Sequence, residues 1–188
     1  MSLEKEQNTF DIIPEKPSTF ALGLKMGIIT ALVYIILLLL RYMFLSYNPM
    51  IFTGSVIISY IIILVFYGMT VWQRRKDLGG YAEIRDLFGA VFICILITEI
   101  VYCAFNYIYL NFIDPGFFTR FEQSTIEYIK KVGGDSMKVQ QQIDKFKGQK
   151  GASGSVLSTI IGLGQWLIID SILGLLISLA FRKVKPQY

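Results

Sequence analysis

Histidine is absent from all 188 residues, and with it the commonest general base and the commonest metal ligand. No run of carboxylates or cysteines at ligand spacing replaces it, so metal-dependent chemistry is not expected. The two cysteines, Cys94 and Cys103, fall nine residues apart within one apolar block. On a helix, at about 100° per residue, they point to opposite faces, and both are expected to be reduced core residues. The chain has no Walker loop, no dinucleotide fingerprint and no nucleophile with an adjacent base, so it reads as non-enzymatic and without a cofactor. It also shows no internal repeat of the kind that builds inverted-repeat transporters. Charge is scarce, at 17% of residues. The net +4 does not point to nucleic acid, because the basic residues sit mainly at the ends of apolar segments, where they mark membrane topology.

What is present is apolar sequence in long blocks: 54% of the chain is hydrophobic. Windows of about 20 residues pick out four segments, about 20–44, 51–72, 88–112 and 155–181, each long enough to cross a hydrocarbon core of about 30 Å. In the bilayer every backbone polar group must be paired internally, and solid apolar blocks are not the alternating pattern of a barrel. The expected fold is therefore all-α, an integral membrane bundle of four transmembrane helices. The first block is too long for a signal peptide, follows a polar stretch of mixed charge and lacks a small-residue cleavage pattern, so it is expected to remain as a span.

With four spans, both termini share a side with the second connection. That side carries Lys5, Lys16, Arg74, Arg75, Lys76, Arg85, Arg182, Lys183 and Lys185, and is expected to be cytoplasmic. Residues 1–19 read as a polar tail and 182–188 as a basic one. The stretch Arg74 to Gly80 ends the second helix with cations and breaks it with glycines, before Glu83 and Asp86 open the third. Its cluster of Arg74, Arg75 and Lys76 reads either as a charge anchor or as a contact for anionic lipid headgroups. The connection 113–154 is too long for a bare turn. After Asp114-Pro115-Gly116 it places Phe118, Phe121, Thr125, Tyr128, Ile129 and Val132 on one helical face. Gly133-Gly134 then precedes a second short helical pattern with Val139, Ile143 and Phe146, and 148–154 form a Gly/Ser/Lys lead into the last span. The amphipathic loop is expected to form a cap, to lie on the membrane or to meet a partner protein. Aromatic residues at span ends, among them Tyr42, Phe44, Tyr47, Phe52, Tyr107, Tyr109, Phe112, Phe117 and Phe118, read as interfacial belts.

Two acids stand where acids are costly, Glu99 in the third span and Asp170 in the fourth. Counting about eleven residues inward from Phe88 and Phe181 puts both about 16 Å deep, at one level. A charge there costs about 2.5–3.5 kcal/mol on insertion scales, so a proton shared between neighbouring carboxyls is expected. Tyr102 and Asn106 share the face of Glu99, and Gln165 lies one to two turns from Asp170. The five residues read as a proton or cation site, or equally as hydrogen bonds that fix helix register. Lys25 and Arg41, near opposite ends of the first span, are expected to snorkel to the two interfaces. The small residues Gly23 and Gly27, and Gly164, Ser171, Gly174 and Ser178, form stripes suited to close packing, either in the bundle or in a dimer.

The segments Arg74-Arg75-Lys76-Asp77-Leu78-Gly79-Gly80-Tyr81 and Tyr109-Leu110-Asn111-Phe112-Ile113-Asp114-Pro115-Gly116-Phe117 resemble a family of small four-span inner-membrane proteins common in Bacteroidota. That family is a domain of unknown function. The resemblance covers nearly the whole chain in segment order, implies the same fold and a bacterial inner-membrane location, and transfers no catalytic residue. Three functions are open at this point: an accessory or scaffolding subunit with a homo-oligomeric or membrane-complex partner, a small proton- or cation-coupled transporter, and a lipid-handling protein. The bilayer itself is the one partner the composition demands.

Overall fold

The computed structural model describes residues 18–133, 139–141, 143–144 and 156–184. Most of the expected N-terminal tail, Phe146 of the second loop pattern and the lead at 148–154 lie outside those residues. Among the described residues five helices carry the chain, besides the helical residues 139–141 and 143–144. α1 (Thr19–Leu40) continues through a π-helical turn, Arg41–Leu45; α2 is Pro49–Asp77; α3 (Ile84–Ile108) ends in a second π turn, Tyr109–Ile113; α4 is Phe117–Val132; α5 is Val156–Phe181. Ser18 caps α1 by accepting from the Ala21 N–H at 3.0 Å. Asn48 caps α2 in the same way ahead of Pro49 at the first turn, where the missing proline N–H costs nothing.

Among the described residues four helices are long and apolar enough to cross a bilayer, Thr19–Leu45, Pro49–Asp77, Ile84–Ile113 and Thr159–Phe181. The fold is the expected all-α membrane bundle, and the exposure pattern explains why it needs lipid. Ile28, Leu32, Ile36 and Leu40, four residues apart along α1, are each about half exposed. The buried set instead includes Thr30, Thr70, Thr98, Glu99, Asp170 and Ser178. A water-soluble bundle would bury the first set and expose the second.

α3 is the hub, packed most closely on α1, next on α5, and also on α2. Glycines set the approach of α1. A Cβ at Gly23 would lie 2.6 Å from the Ala90 carbonyl oxygen, and one at Gly27 would lie 3.0 Å from the Ile97 Cβ. Gly174 of α5 is similarly tight against Ile95, whereas Gly164 faces open space. At these positions the small-residue stripes therefore serve the bundle itself. Where α1, α2 and α3 meet, the Thr30 and Thr70 hydroxyls each lie 3.7 Å from the Cys94 thiol, an interior knot in which each threonine also bonds the carbonyl four residues back.

The two ends of the bundle are closed differently. At the basic end α2 runs five residues past the expected Trp72, until Gly79 and Gly80 take left-handed conformations with φ of +76° and +86°. The Ala82 N–H then donates to the Lys183 carbonyl at 2.9 Å, clasping the α2–α3 connection to the exit of α5. At the other end Tyr42, Phe52, Tyr109, Phe117 and Phe121 stack on one another, with Tyr42 and Tyr109 4.9 Å apart between centroids. This corrects the reading of these rings as an interfacial belt. Tyr42, Tyr109 and Phe117 are buried, because the π turns swing the first two inward and α4 drops Phe117 onto them; Phe44, Tyr47 and Phe112 do face outward. α4 lies over the bundle as a cap, and the Ser124 hydroxyl donates to the Ser46 carbonyl at 3.4 Å.

Candidate functional site

Asp170 is 1% exposed and is held by α2. Tyr60 and Tyr67, two helical turns apart on one face, donate their hydroxyls to Oδ1 at 2.5 Å and to Oδ2 at 3.1 Å. Glu99 of α3 is also buried and lies close enough to Asp170 for the two carboxyls to interact electrostatically. Its Oε2 is enclosed and has no hydrogen-bond partner among the described residues. Of the two facing carboxyls, Asp170 is well solvated by protein and Glu99 poorly.

Further along α3 the polar column continues. Tyr102 stacks on Tyr34 of α1, with centroids 4.9 Å apart and planes 6° from parallel. Asn106, one turn beyond Tyr102, accepts a short hydrogen bond from Tyr42. The structure thus brings together Glu99, Asp170, Tyr102 and Asn106, but not Gln165. Five residues along a helix is about 140° of rotation, which carries Gln165 to the exposed side of α5.

Arg41 departs from expectation further. It does not snorkel: it is 4% exposed and points into the bundle. Its Nε donates to the Ser55 hydroxyl at 3.1 Å, and its Nη2 to the Ser55 carbonyl at 3.2 Å and the Ser59 hydroxyl at 2.6 Å. The wider π turn that begins at Arg41 changes the direction of the side chain, and serines four apart on α2 receive it.

Between these groups lies a cavity of about 460 Å³. Tyr34, Arg41, Glu99 and Tyr102 give it a polar interior; Val56, Ile57, Ile61 and Trp166 line it with side chains that are also exposed on the outside of the bundle. Phe117, Phe118 and Phe121 line its outer end. Residue counting along the spans found the two acids, but it missed Tyr34, Tyr60, Tyr67, Ser55 and Ser59. The helical spacing of the α2 tyrosines and serines was the available signal.

The second candidate, the cluster of Arg74, Arg75 and Lys76, divides: Arg75 and Lys76 line one open pocket with Trp72, Gly79 and Gly80, and Arg74 turns away from it. Arg74 is buried and donates to the Thr19 hydroxyl at 2.6 Å, tying α2 to the start of α1. Arg75 holds the Gly80 carbonyl at 3.0 Å, while Lys76 is exposed over the Trp72 ring at 5.6 Å. Successive residues on a helix point about 100° apart, so three adjacent cations cannot share a face.

The family described as "Protein of unknown function (DUF4199)" matches residues 23–183. The chain belongs to that family. The match runs from the first tight glycine of α1 to the Lys183 clasp, so every residue of the cavity lies within the DUF4199 region. No curated protein and no solved structure matches the chain.

Proposed function

We propose that this DUF4199 chain is a non-enzymatic accessory protein of a bacterial inner membrane, with both termini cytoplasmic, whose cavity holds one amphiphilic molecule. The observation that carries this reading is the cavity itself. A guanidinium, a carboxyl and tyrosine hydroxyls line its interior, while apolar side chains shared with the outer surface of the bundle line its wall. That is the pattern of a site built for a polar head and an apolar tail. Arg74, Arg75, Lys76, Arg85, Arg182 and Lys183 at one end support this orientation, and under it the cavity belongs to the half of the bilayer away from the cytoplasm.

The test is native mass spectrometry of protein exposed to mixed phospholipid vesicles and extracted in mild detergent. The wild type is expected to retain one lipid. Ile61→Trp, which fills the cavity wall, is expected to lose it, and Ile58→Trp, on an exposed face away from the cavity, to keep it. Equal retention by all three proteins would refute the reading. Proton- or cation-coupled transport is the second reading, favoured by the enclosed, unpartnered Oε2 of a glutamate that also lines the cavity.

A further inference from the structure

Arg41 carries a permanent charge, yet only 4% of it is exposed. Its hydrogen-bond partners are two serine hydroxyls and one carbonyl, all neutral, and the Phe52 ring lies 5.8 Å from its Cζ. Among the described residues no carboxylate comes within ion-pair distance of it. A buried cation without a counter-charge is costly, and proteins seldom keep one without use. Its donors are also divided. Nε and Nη2 are occupied by α2, whereas Nη1 has no partner among the described residues and is not enclosed by them. Arg41 lines the cavity, so this free edge is available to an occupant.

Depth adds a second constraint. Arg41 lies four residues from Leu45, where the first span ends, or about 6 Å along the axis, close to headgroup level. Val56 and Ile57, with Ile61 one turn further along α2, continue from it toward the bilayer interior with exposed apolar faces.

We infer that the cavity selects a phospholipid with a net negative headgroup, whose phosphate oxygens accept from Arg41 Nη1 while an acyl chain leaves along Val56, Ile57 and Ile61. This rests on the amphiphile reading above and adds the class of head. The serines hold the guanidinium flat for the ligand, and the bound phosphate supplies the missing counter-charge.

The experiment uses full-length protein in mixed micelles of phosphatidylglycerol and phosphatidylcholine in equal amounts, with bound lipid counted by native mass spectrometry. Wild type is expected to prefer phosphatidylglycerol by about tenfold: both lipids offer a phosphate to Nη1, but phosphatidylcholine adds a quaternary ammonium that repels the guanidinium and leaves it without a net counter-charge. Arg41→Gln is expected to retain a lipid with the preference reduced to near unity, and Arg41→Lys to recover part of it. Should Arg41→Gln fail to fold, Val56→Glu places a carboxylate on the cavity wall and is expected to abolish the preference with Arg41 in place. An unselective wild type, or a preference unchanged in Arg41→Gln or Val56→Glu, overturns the inference while leaving lipid binding intact. Retention of no lipid of either class overturns the cavity reading itself. Displacement of the lipid by millimolar inorganic phosphate would instead identify a soluble oxyanion as the ligand and overturn the phospholipid assignment.

Discussion

Replacement of Gly23 by alanine tests the bundle at its tightest point. The added Cβ would sit 2.6 Å from the Ala90 carbonyl oxygen and 2.8 Å from the Ile93 Cβ, against the 3.4 Å at which ordinary contact begins. One of these obstacles is backbone and the other a β-branched carbon, so neither moves aside by a rotamer change. α1 must retreat from α3 by about 0.8 Å, which forfeits a quarter to a half of the attraction across their whole contact. Overpacking of this kind costs about 1–3 kcal/mol. Alanine gains about 0.5–1 kcal/mol over glycine within a helix, so the proper control is a glycine with free space. Gly68 of α2 has no atom within 4 Å of its Cβ position and supplies that control. Gly27, whose nearest contacts lie at 3.0–3.2 Å, belongs between them. Reversible unfolding in mixed micelles is expected to rank stability as Gly68→Ala, then Gly27→Ala, then Gly23→Ala, with about 1–3 kcal/mol between the extremes. A Gly23→Ala protein as stable as Gly68→Ala would refute the packing argument.

Tyr67→Phe removes a wholly buried donor to Asp170, and interhelical hydrogen bonds in membranes contribute about 0.6 kcal/mol on average and about 1.7 at most. A double-mutant cycle with Asp170→Ala, which removes both acceptor oxygens, is expected to return a coupling of about 1 kcal/mol, and a coupling within error of zero would show that the contact does not stabilise the fold. For the transport reading, liposomes containing wild type are expected to pass protons or cations, and folded Glu99→Gln to stop the flux; no wild-type flux would set that reading aside.

Much of the fold was legible in the sequence because a bilayer imposes a coarse rule. Four apolar blocks of spanning length leave little choice of architecture, and inward counting put Glu99 and Asp170 on one level, where they meet. Side-chain direction was less accessible. An ordinary helix end lets Arg41 snorkel to the interface; the π turn that redirects it has no mark in the hydropathy. Gln165 was placed by sequence distance from Asp170, but five residues is the wrong rotation for a shared face. Tyr42, Tyr109 and Phe117 looked like belt residues because hydropathy cannot tell a ring facing headgroups from one stacked under a capping helix. Arg74 was grouped with its neighbours by adjacency, although a helix separates adjacent residues and turns this one toward Thr19.

The backbone clasp between Ala82 and Lys183 has a mechanical consequence. Together with the Arg74 contact to Thr19, it fastens three parts of the chain at one extremity: the start of α1, the turn between α2 and α3, and the exit of α5. At the other extremity the same helices are held by the short turn between α1 and α2, by the Tyr42 hydrogen bond to Asn106 and by the rings stacked under α4. The bundle is thus a frame tied at both rims, and the cavity opens between the two ties through its lipid-facing wall rather than at a loose end.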